Sequence, residues 1–266
     1  MSTARTYDPE PAARLLIGPW RENAKFDMLP DAVRPTTRAE GYRVQAALVA
    51  ASGEDAVGWK LAATSAAGQK HIAVTMPLAG RLLRSRQRAE GSAIPVRGLG
   101  MAVAEPEFAF RMARDLRAPA HAGAFSREAV MDAVADLHLA IEFPDSRFRD
   151  FAVAGEAQLI ADFACACFFV LGAKADASWR ALDLAEHVVR VRVDAQEVAQ
   201  GKGANVLGDP RTALTWLANE LRTQGAFLRA GDIVMTGTCV TPVPIRAGQK
   251  LEADFGALGK VSAATV

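Results

Sequence analysis

The chain has 266 residues, half of them hydrophobic, which is enough for one large domain that buries roughly three quarters of its unfolded surface. Its 31 basic and 30 acidic residues leave a formal charge of +1, which argues against a protein built to coat nucleic acid or an anionic membrane. The longest nearly unbroken apolar run, Phe163 to Ala173, falls well short of the roughly 20 residues a spanning helix needs.

In chain order, the first thirty residues carry Arg5, Asp8, Glu10 and Arg14 and contain no apolar signal core, so a cytoplasmic location is expected. Thr37-Arg-Ala-Glu40 is a capping-box pattern, and Val44, Ala47, Leu48 and Ala51 follow at helical spacing. Residues 1–55 therefore read as a helical segment packed on a core, and residues 56–266 as one catalytic unit. After Gly53 the character changes to β-like segments: Val57 to Leu61, Met101 to Met112, Leu137 to Phe143, Cys165 to Leu171 and Val188 to Val193. Ile233 to Thr236, Lys250 to Asp254 and Lys260 to Ala264 complete the set. Ser126 caps a helix running to about Asp136, and Asp209-Pro210 starts another that Gly225 closes. Strands grouped without regular βαβ alternation predict an α+β fold with a mostly β core. No G-x-G-x-x-G follows a strand and no P-loop pattern occurs, which argues against nucleotide chemistry.

The segment Ala102-Val-Ala-Glu105-Pro-Glu107-Phe-Ala-Phe-Arg-Met112 is the most informative. Alternation puts Glu105 and Glu107 on one face, roughly 6–7 Å apart, with Phe108, Phe110 and Met112 on the other. Pro106 cannot donate to a ladder, so it predicts an edge or a bulge, and ordinary surface glutamates on an edge strand satisfy the same pattern. Glu142 adds a third carboxylate, pointing away from the apolar face of Leu139, Ile141 and Phe143. Three glutamates from two β-segments would make an oxygen-only site for a hard divalent ion such as Mg²⁺. Zinc is disfavoured, because His71, His121, His138 and His187 lack ligand spacing.

Lys60 stands inside the apolar Val57-Gly-Trp-Lys60-Leu-Ala, although only seven of the 31 basic residues are lysines. A desolvated lysine can move a proton and an arginine cannot; a lysine snorkelling to the strand edge is the alternative. Cys165 and Cys167 alternate on an apolar strand as inert core thiols. Arg81 to Arg88 reads as a solvated loop, or else as positive charge near an acidic substrate. His138 shares the face of Glu142, and a plain core or surface histidine explains it as well.

Four ordered motifs then carry a resemblance: Gly58-Trp-Lys60-Leu-Ala-Ala-Thr64-Ser65, Glu105-Pro-Glu107-Phe-Ala-Phe, Ala140-Ile-Glu142-Phe-Pro-Asp-Ser146-Arg147 and Arg229-Ala-Gly-Asp232-Ile-Val-Met-Thr236-Gly237. The chain resembles the 2-keto-4-pentenoate hydratase group of the fumarylacetoacetate hydrolase superfamily, which includes 4-oxalocrotonate decarboxylases. That resemblance implies a mixed β-roll with flanking helices, Mg²⁺ or Mn²⁺ on Glu105, Glu107 and Glu142, and Lys60 as acid/base. It implies substrate contacts from Thr64, Ser65, Cys165 and Thr236, a small-molecule 2-oxo or 2-hydroxy acid as substrate, and a homo-oligomer. Hydration of a 2-hydroxy-2,4-dienoate in aromatic-compound degradation is the expected activity. Decarboxylation of a 2-oxo dicarboxylate, hydrolysis of an acylpyruvate and non-catalytic binding of a 2-oxo acid are the alternatives. Two departures stand out. Leu78 replaces an acidic residue of the hydratases, and Asp162-Phe-Ala-Cys165 replaces a segment that carries an amide and a hydroxyl.

Overall fold

A computed structural model describes residues 7–117 and 123–266; His121 and Arg5 fall outside that range. Two helices open the chain, α1 (Glu10–Glu22) and α2 (Arg38–Ser52). The capping box forms as expected: the Thr37 hydroxyl accepts from the Glu40 N–H, and the Glu40 carboxylate accepts from the Thr37 N–H. Ala12, Ala13, Leu16 and Trp20 of α1 and Val44 and Leu48 of α2 are buried in the same hydrophobic core as the strands. No helix among the described residues is long and apolar enough to cross a membrane.

The strands and remaining helices follow as β1 (Ala56–Ala62), α3 (Ala66–His71), β2 (Leu78–Leu83), β3 (Gln87–Arg88), β4 (Ala93–Ile94) and β5 (Val103–Met112). Next come α4 (Arg127–Met131), β6 (Val134–Phe143), α5 (Glu156–Ala161), β7 (Phe168–Lys174), β8 (Val188–Val193) and β9 (Gln196–Lys202). The chain closes with α6 (Pro210–Thr223), β10 (Ile233–Thr238), β11 (Val243–Pro244), β12 (Lys250–Asp254) and β13 (Lys260–Thr265). One curled sheet runs β2-β1-β10-β5-β6-β7-β3, with β11 paired to β5; a second runs β4-β13-β12-β8-β9. The sheets meet where Val261 lies against Gly172, so close that a methyl on Gly172 would sit 3.1 Å from Val261. This is the α+β architecture that the grouping of strands predicted, in the mixed β-roll form that the resemblance implied.

Four expectations need correction. β5 is an interior strand, between β10 and β6, and not an edge. Pro106 is tolerated there because its carbonyl, which accepts from Cys239 N–H at 2.9 Å, puts its missing N–H on the β10 side. The pairing with β10 slips there, between Met235 and Thr238, so the bulge half of the expectation holds. The helix begun by Ser126 ends at Met131, because Val134 already starts β6 and alternation overrides helix propensity. β7 starts only at Phe168, so Cys165 is not on a strand. Lastly, Arg81 to Arg88 forms β2, a short turn and β3, with guanidinium groups stacked on aromatic rings: Arg81 on Trp59 at 4.2 Å and Arg86 on Trp20 at 4.3 Å.

Candidate active site

Register brings the three carboxylates together. In the β5–β6 pair Glu105 lies directly opposite Glu142 and Glu107 opposite Ala140, so all three glutamates share one face of the sheet. A carboxylate oxygen from each lies within 4.8 Å of the other two. Glu107 and Glu142 are fully buried, which rules out the surface-glutamate reading. Glu107 Oε1 and Glu142 Oε2 have no hydrogen-bond partner, and Glu142 Oε1 meets the Lys60 ammonium. The other Glu107 oxygen, Oε2, accepts from the Gly237 N–H at 2.7 Å. Gly237 sits at φ 107°, and a Cβ there would meet Thr64 Oγ1 at 2.1 Å; glycine is required on both counts.

Lys60 reaches this cluster from β1, three strands away from β6. A flat sheet would hold those strands about 14 Å apart, at roughly 4.8 Å per step. The curl of the sheet and two long side chains close that gap, leaving Nζ 3.0 Å from Glu142 Oε1. The contact is an ion pair, and the ammonium also donates to the Ala164 carbonyl at 3.0 Å. Burial opposes the charge of Lys60, but Glu142, and then Glu105 and Glu107, outweigh it and hold the ammonium pKa above its ordinary value. Burial raises the carboxyls in turn. Glu105 is pushed up to about 7, with Glu142 adding to the effect, and Glu107 rises well above the ordinary carboxylate range for the same reasons plus the charge of Glu105. Glu142 is raised by burial despite Lys60. Oxygen-only donors and orphaned buried oxygens are what a hard divalent cation would satisfy, so the residues fit one.

The carbonyl that holds Lys60 belongs to a strained turn. Phe163, Ala164 and Cys165 have φ of 53°, 49° and 65°, three successive left-handed residues without a glycine, a conformation that costs about 1–3 kcal/mol each. A fully buried network offsets this. Arg147 Nε meets Asp162 Oδ1 at 2.5 Å, Ser146 Oγ donates to Asp162 Oδ2 at 2.7 Å, and the Arg147 guanidinium caps the Ala166 carbonyl at 3.2 Å. The network thus ties the segment after Glu142 to the segment that holds Lys60. On the other side, Gly80 of β2 touches the turn so closely that a Cβ would lie 1.7 Å from the Phe163 oxygen. Gly80→Ala is therefore expected to destabilise the protein by about 1–3 kcal/mol in urea unfolding, and to cut turnover as the Ala164 carbonyl is pushed off Lys60.

A cavity of about 710 Å³ opens onto Lys60 and Glu105. Thr64, Ser65 and Cys165 line it, and burial pushes the Cys165 thiol up to about 12, which makes it no nucleophile. Thr236 goes elsewhere: it is buried in β10 and its hydroxyl donates to the Phe108 carbonyl at 2.9 Å, so a substrate contact there has no geometric support. Leu78 is buried in β2 and leaves an apolar side chain where the resemblance asks for an acid. His138 lies four residues before Glu142 along β6, opposite Ala109, and its ring contacts the Gly172 carbonyl and Arg111. Sequence reading missed Asn205, which lines the cavity and donates to the Cys239 carbonyl at 2.7 Å, together with Phe151 and Thr238. Asn205 lies four residues before the Asp209-Pro210 helix start, and its polar side chain there was the available signal.

Fold and site together define an enzyme with a buried carboxylate cluster able to hold a divalent cation beside one lysine. The family model for the C-terminal part of fumarylacetoacetate (FAA) hydrolase matches residues 65–266, and the chain belongs to that family. It is 36% identical over 212 residues to a 2-keto-4-pentenoate hydratase of Burkholderia vietnamiensis, covering 80% of this chain and 79% of that one. It is 31% identical over 214 residues to a 2-hydroxyhexa-2,4-dienoate hydratase of Comamonas testosteroni, covering 80% and 79% of the two chains. Among solved structures, 4-oxalocrotonate decarboxylase from Pseudomonas putida, complexed with magnesium and adipate, superposes with a TM-score of 0.86 at 25% identity, covering 99% of both chains. The same decarboxylase is also known with calcium and acetate.

Proposed function

We propose that this protein is a metal-dependent lyase of the hydratase type, which adds water to a 2-hydroxy-2,4-dienoate by way of its 2-oxo tautomer in aromatic-compound degradation. The observation that carries this reading is the convergence of Glu105, Glu107 and Glu142, with orphaned buried oxygens, beside the Lys60 ammonium. In this reading the three glutamates would hold Mg²⁺ or Mn²⁺, which would supply positive charge at the substrate's 2-oxygen. Lys60 is the proton carrier at carbon. Its Nζ is oriented by the Ala164 carbonyl and Glu142, and charge compensation among the carboxylates would relax their hold on its proton. Thr64, Ser65 and Cys165 are the proposed walls of the reacting end. Leu78 offers no base for water, so the protons of hydration fall to Lys60. We read residues 1–55 as a helical segment bound to the catalytic unit of residues 56–266. Arg38 pairing with Glu156 and Glu220 supports that packing, as does Gln45 bonding the Ala79 and Ile160 carbonyls. By the same family membership we propose a cytoplasmic homo-oligomer.

Decarboxylation of a 2-oxo dicarboxylate is the second reading, favoured by the 99% structural coverage of the decarboxylase. Both are tested by mixing the protein with 2-hydroxypenta-2,4-dienoate or with 4-oxalocrotonate, with Mg²⁺ or with EDTA. Loss of dienol absorbance without CO₂, abolished by EDTA, is expected. CO₂ released from the dicarboxylate would establish the second reading, and metal-independent turnover would overturn both.

A further inference from the structure

We infer that Asp145 is a positioning residue for the substrate cavity, and that Lys25, supplied by the N-terminal helical segment, holds it in place. The inference rests on the proposed function, in which that cavity takes the substrate beside the glutamate cluster and Lys60. Lys25 precedes the residues that the family model matches, so this contact gives the N-terminal segment a part in the site.

Between α1 and α2 the chain runs beside the segment that follows Glu142. The Phe26 N–H donates to the Arg147 carbonyl at 2.9 Å, and the Arg149 N–H donates to the Phe26 carbonyl at 2.8 Å. The Phe26 and Phe148 rings lie 4.9 Å apart. This pairing delivers the Lys25 ammonium to one oxygen of the Asp145 carboxylate and to the Ser146 carbonyl. The other Asp145 oxygen accepts from the Gly100 N–H at 2.9 Å and from the Met101 N–H at 3.1 Å. Gly100 and Met101 are cavity wall. The Asp145 N–H donates in turn to the carbonyl of Cys165, another wall residue, at 2.8 Å. Asp145 thus ties two parts of the cavity lining to the end of the strand that carries Glu142.

The wall at Met101 leads into the carboxylate cluster. Ala102 follows at φ 46°, a left-handed conformation without a glycine, and β5 begins at Val103. Among the described residues lining the cavity, Glu105 is the one glutamate of the three. On the side away from β6, β10 holds β5 only from Glu107 onward, and the two residues of β11 hold Val103 and Ala104. The entry of β5 therefore depends on the Asp145 anchor. Asp145 is buried, and its carboxylate keeps its charge there by collecting two N–H groups and one ammonium. Without the ammonium, that carboxylate gains by turning toward water, and the two wall N–H groups lose their acceptor.

The test is binding of 2-oxopentanoate, read by calorimetry with Mg²⁺ at saturation, alongside thermal unfolding. Lys25→Met is expected to weaken binding about tenfold, the scale of one charge-assisted hydrogen bond, and Lys25→Arg, which returns a charged donor, to restore it. Arg38→Met is the control. It removes a different tie of the N-terminal segment, to Glu156 and Glu220, none of which lines the cavity. It is expected to lower the unfolding temperature and leave binding unchanged. Lower thermal stability of Lys25→Met with unchanged binding would make the pair merely structural and overturn the inference. An equal loss of binding in Arg38→Met, or no rescue by Lys25→Arg, would overturn it as well. Should Lys25→Met not fold, Asp145→Asn is read in its place. It keeps an oxygen for the Gly100 and Met101 N–H groups but loses the ion pair, so weaker binding supports the inference and unchanged binding overturns it. Each of these outcomes leaves the proposed function standing, whereas failure of the parent protein to bind the acid with Mg²⁺ present would overturn that function and the inference with it.

Discussion

Glu107→Gln is expected to lower metal-dependent turnover by about 10²–10³-fold while raising the thermal stability of the metal-free protein at pH 8. The two effects share one cause. Glu107 is fully buried, one of its oxygens has no partner, and Glu105 and Glu142 crowd the same face. Without a cation, ionising this group is costly, and its pKa lies well above the ordinary range. A carboxyl raised in the folded state keeps its proton there after the unfolded chain has released its own. The stability it lends is thus complete below about pH 4.5 and is lost as pH rises, through about 7 for Glu105. Glutamine keeps an oxygen for the Gly237 N–H and removes a charge that the metal-free fold cannot satisfy. Scanning calorimetry in EDTA should therefore show the variant gaining on the parent at pH 8 and matching it near pH 5. Retained metal-dependent turnover, or the same stability difference at both pH values, would contradict this account.

Lys60→Met should reduce turnover by about 10²–10⁴-fold, the usual weight of a positioned proton donor, but should bind divalent metal more tightly than the parent. Methionine fills much of the volume of the lysine stem and deletes the ammonium, which now stands 3.0 Å from Glu142 Oε1 and partly neutralises the cluster. Removing that charge leaves three mutually repelling carboxylates as a stronger cation trap. The metal-free variant should accordingly lose stability at pH 8, opposite in sign to Glu107→Gln. Titration with Mn²⁺, followed by electron paramagnetic resonance, separates the cases: tighter binding in Lys60→Met and weaker in Glu107→Gln. Weaker binding in Lys60→Met would show that the lysine organises the carboxylates and does not compete with the cation.

How much of this was legible in the chain depended on distance along it. Alternation of two residues per strand period put Glu105 with Glu107 and turned Glu142 from its apolar face, because strand geometry is local. The capping box at Thr37 and the Asp209-Pro210 helix start were equally local, and both formed. Local signals misled where a neighbouring strand decided the outcome. Pro106 suggests an edge until β10 is seen to slip beside it, and the helix after Ser126 yields to β6 because Val134 has a partner in β5.

Residue types and their faces were therefore determined by the sequence alone, along with the family that its motifs spell. The tertiary structure decided that Glu105 stands opposite Glu142, since a one-residue slip in the β5–β6 register would turn Glu142 to the other side of the sheet. It also decided that Lys60 of β1 reaches across the curled sheet to meet Glu142 of β6, three strand spacings away, and that a strained turn held by Arg147 and Asp162 supplies the carbonyl that steadies it. Those contacts join residues as much as 104 positions apart, and their geometry is set by sheet curl and buried charge, neither of which any short window of sequence contains.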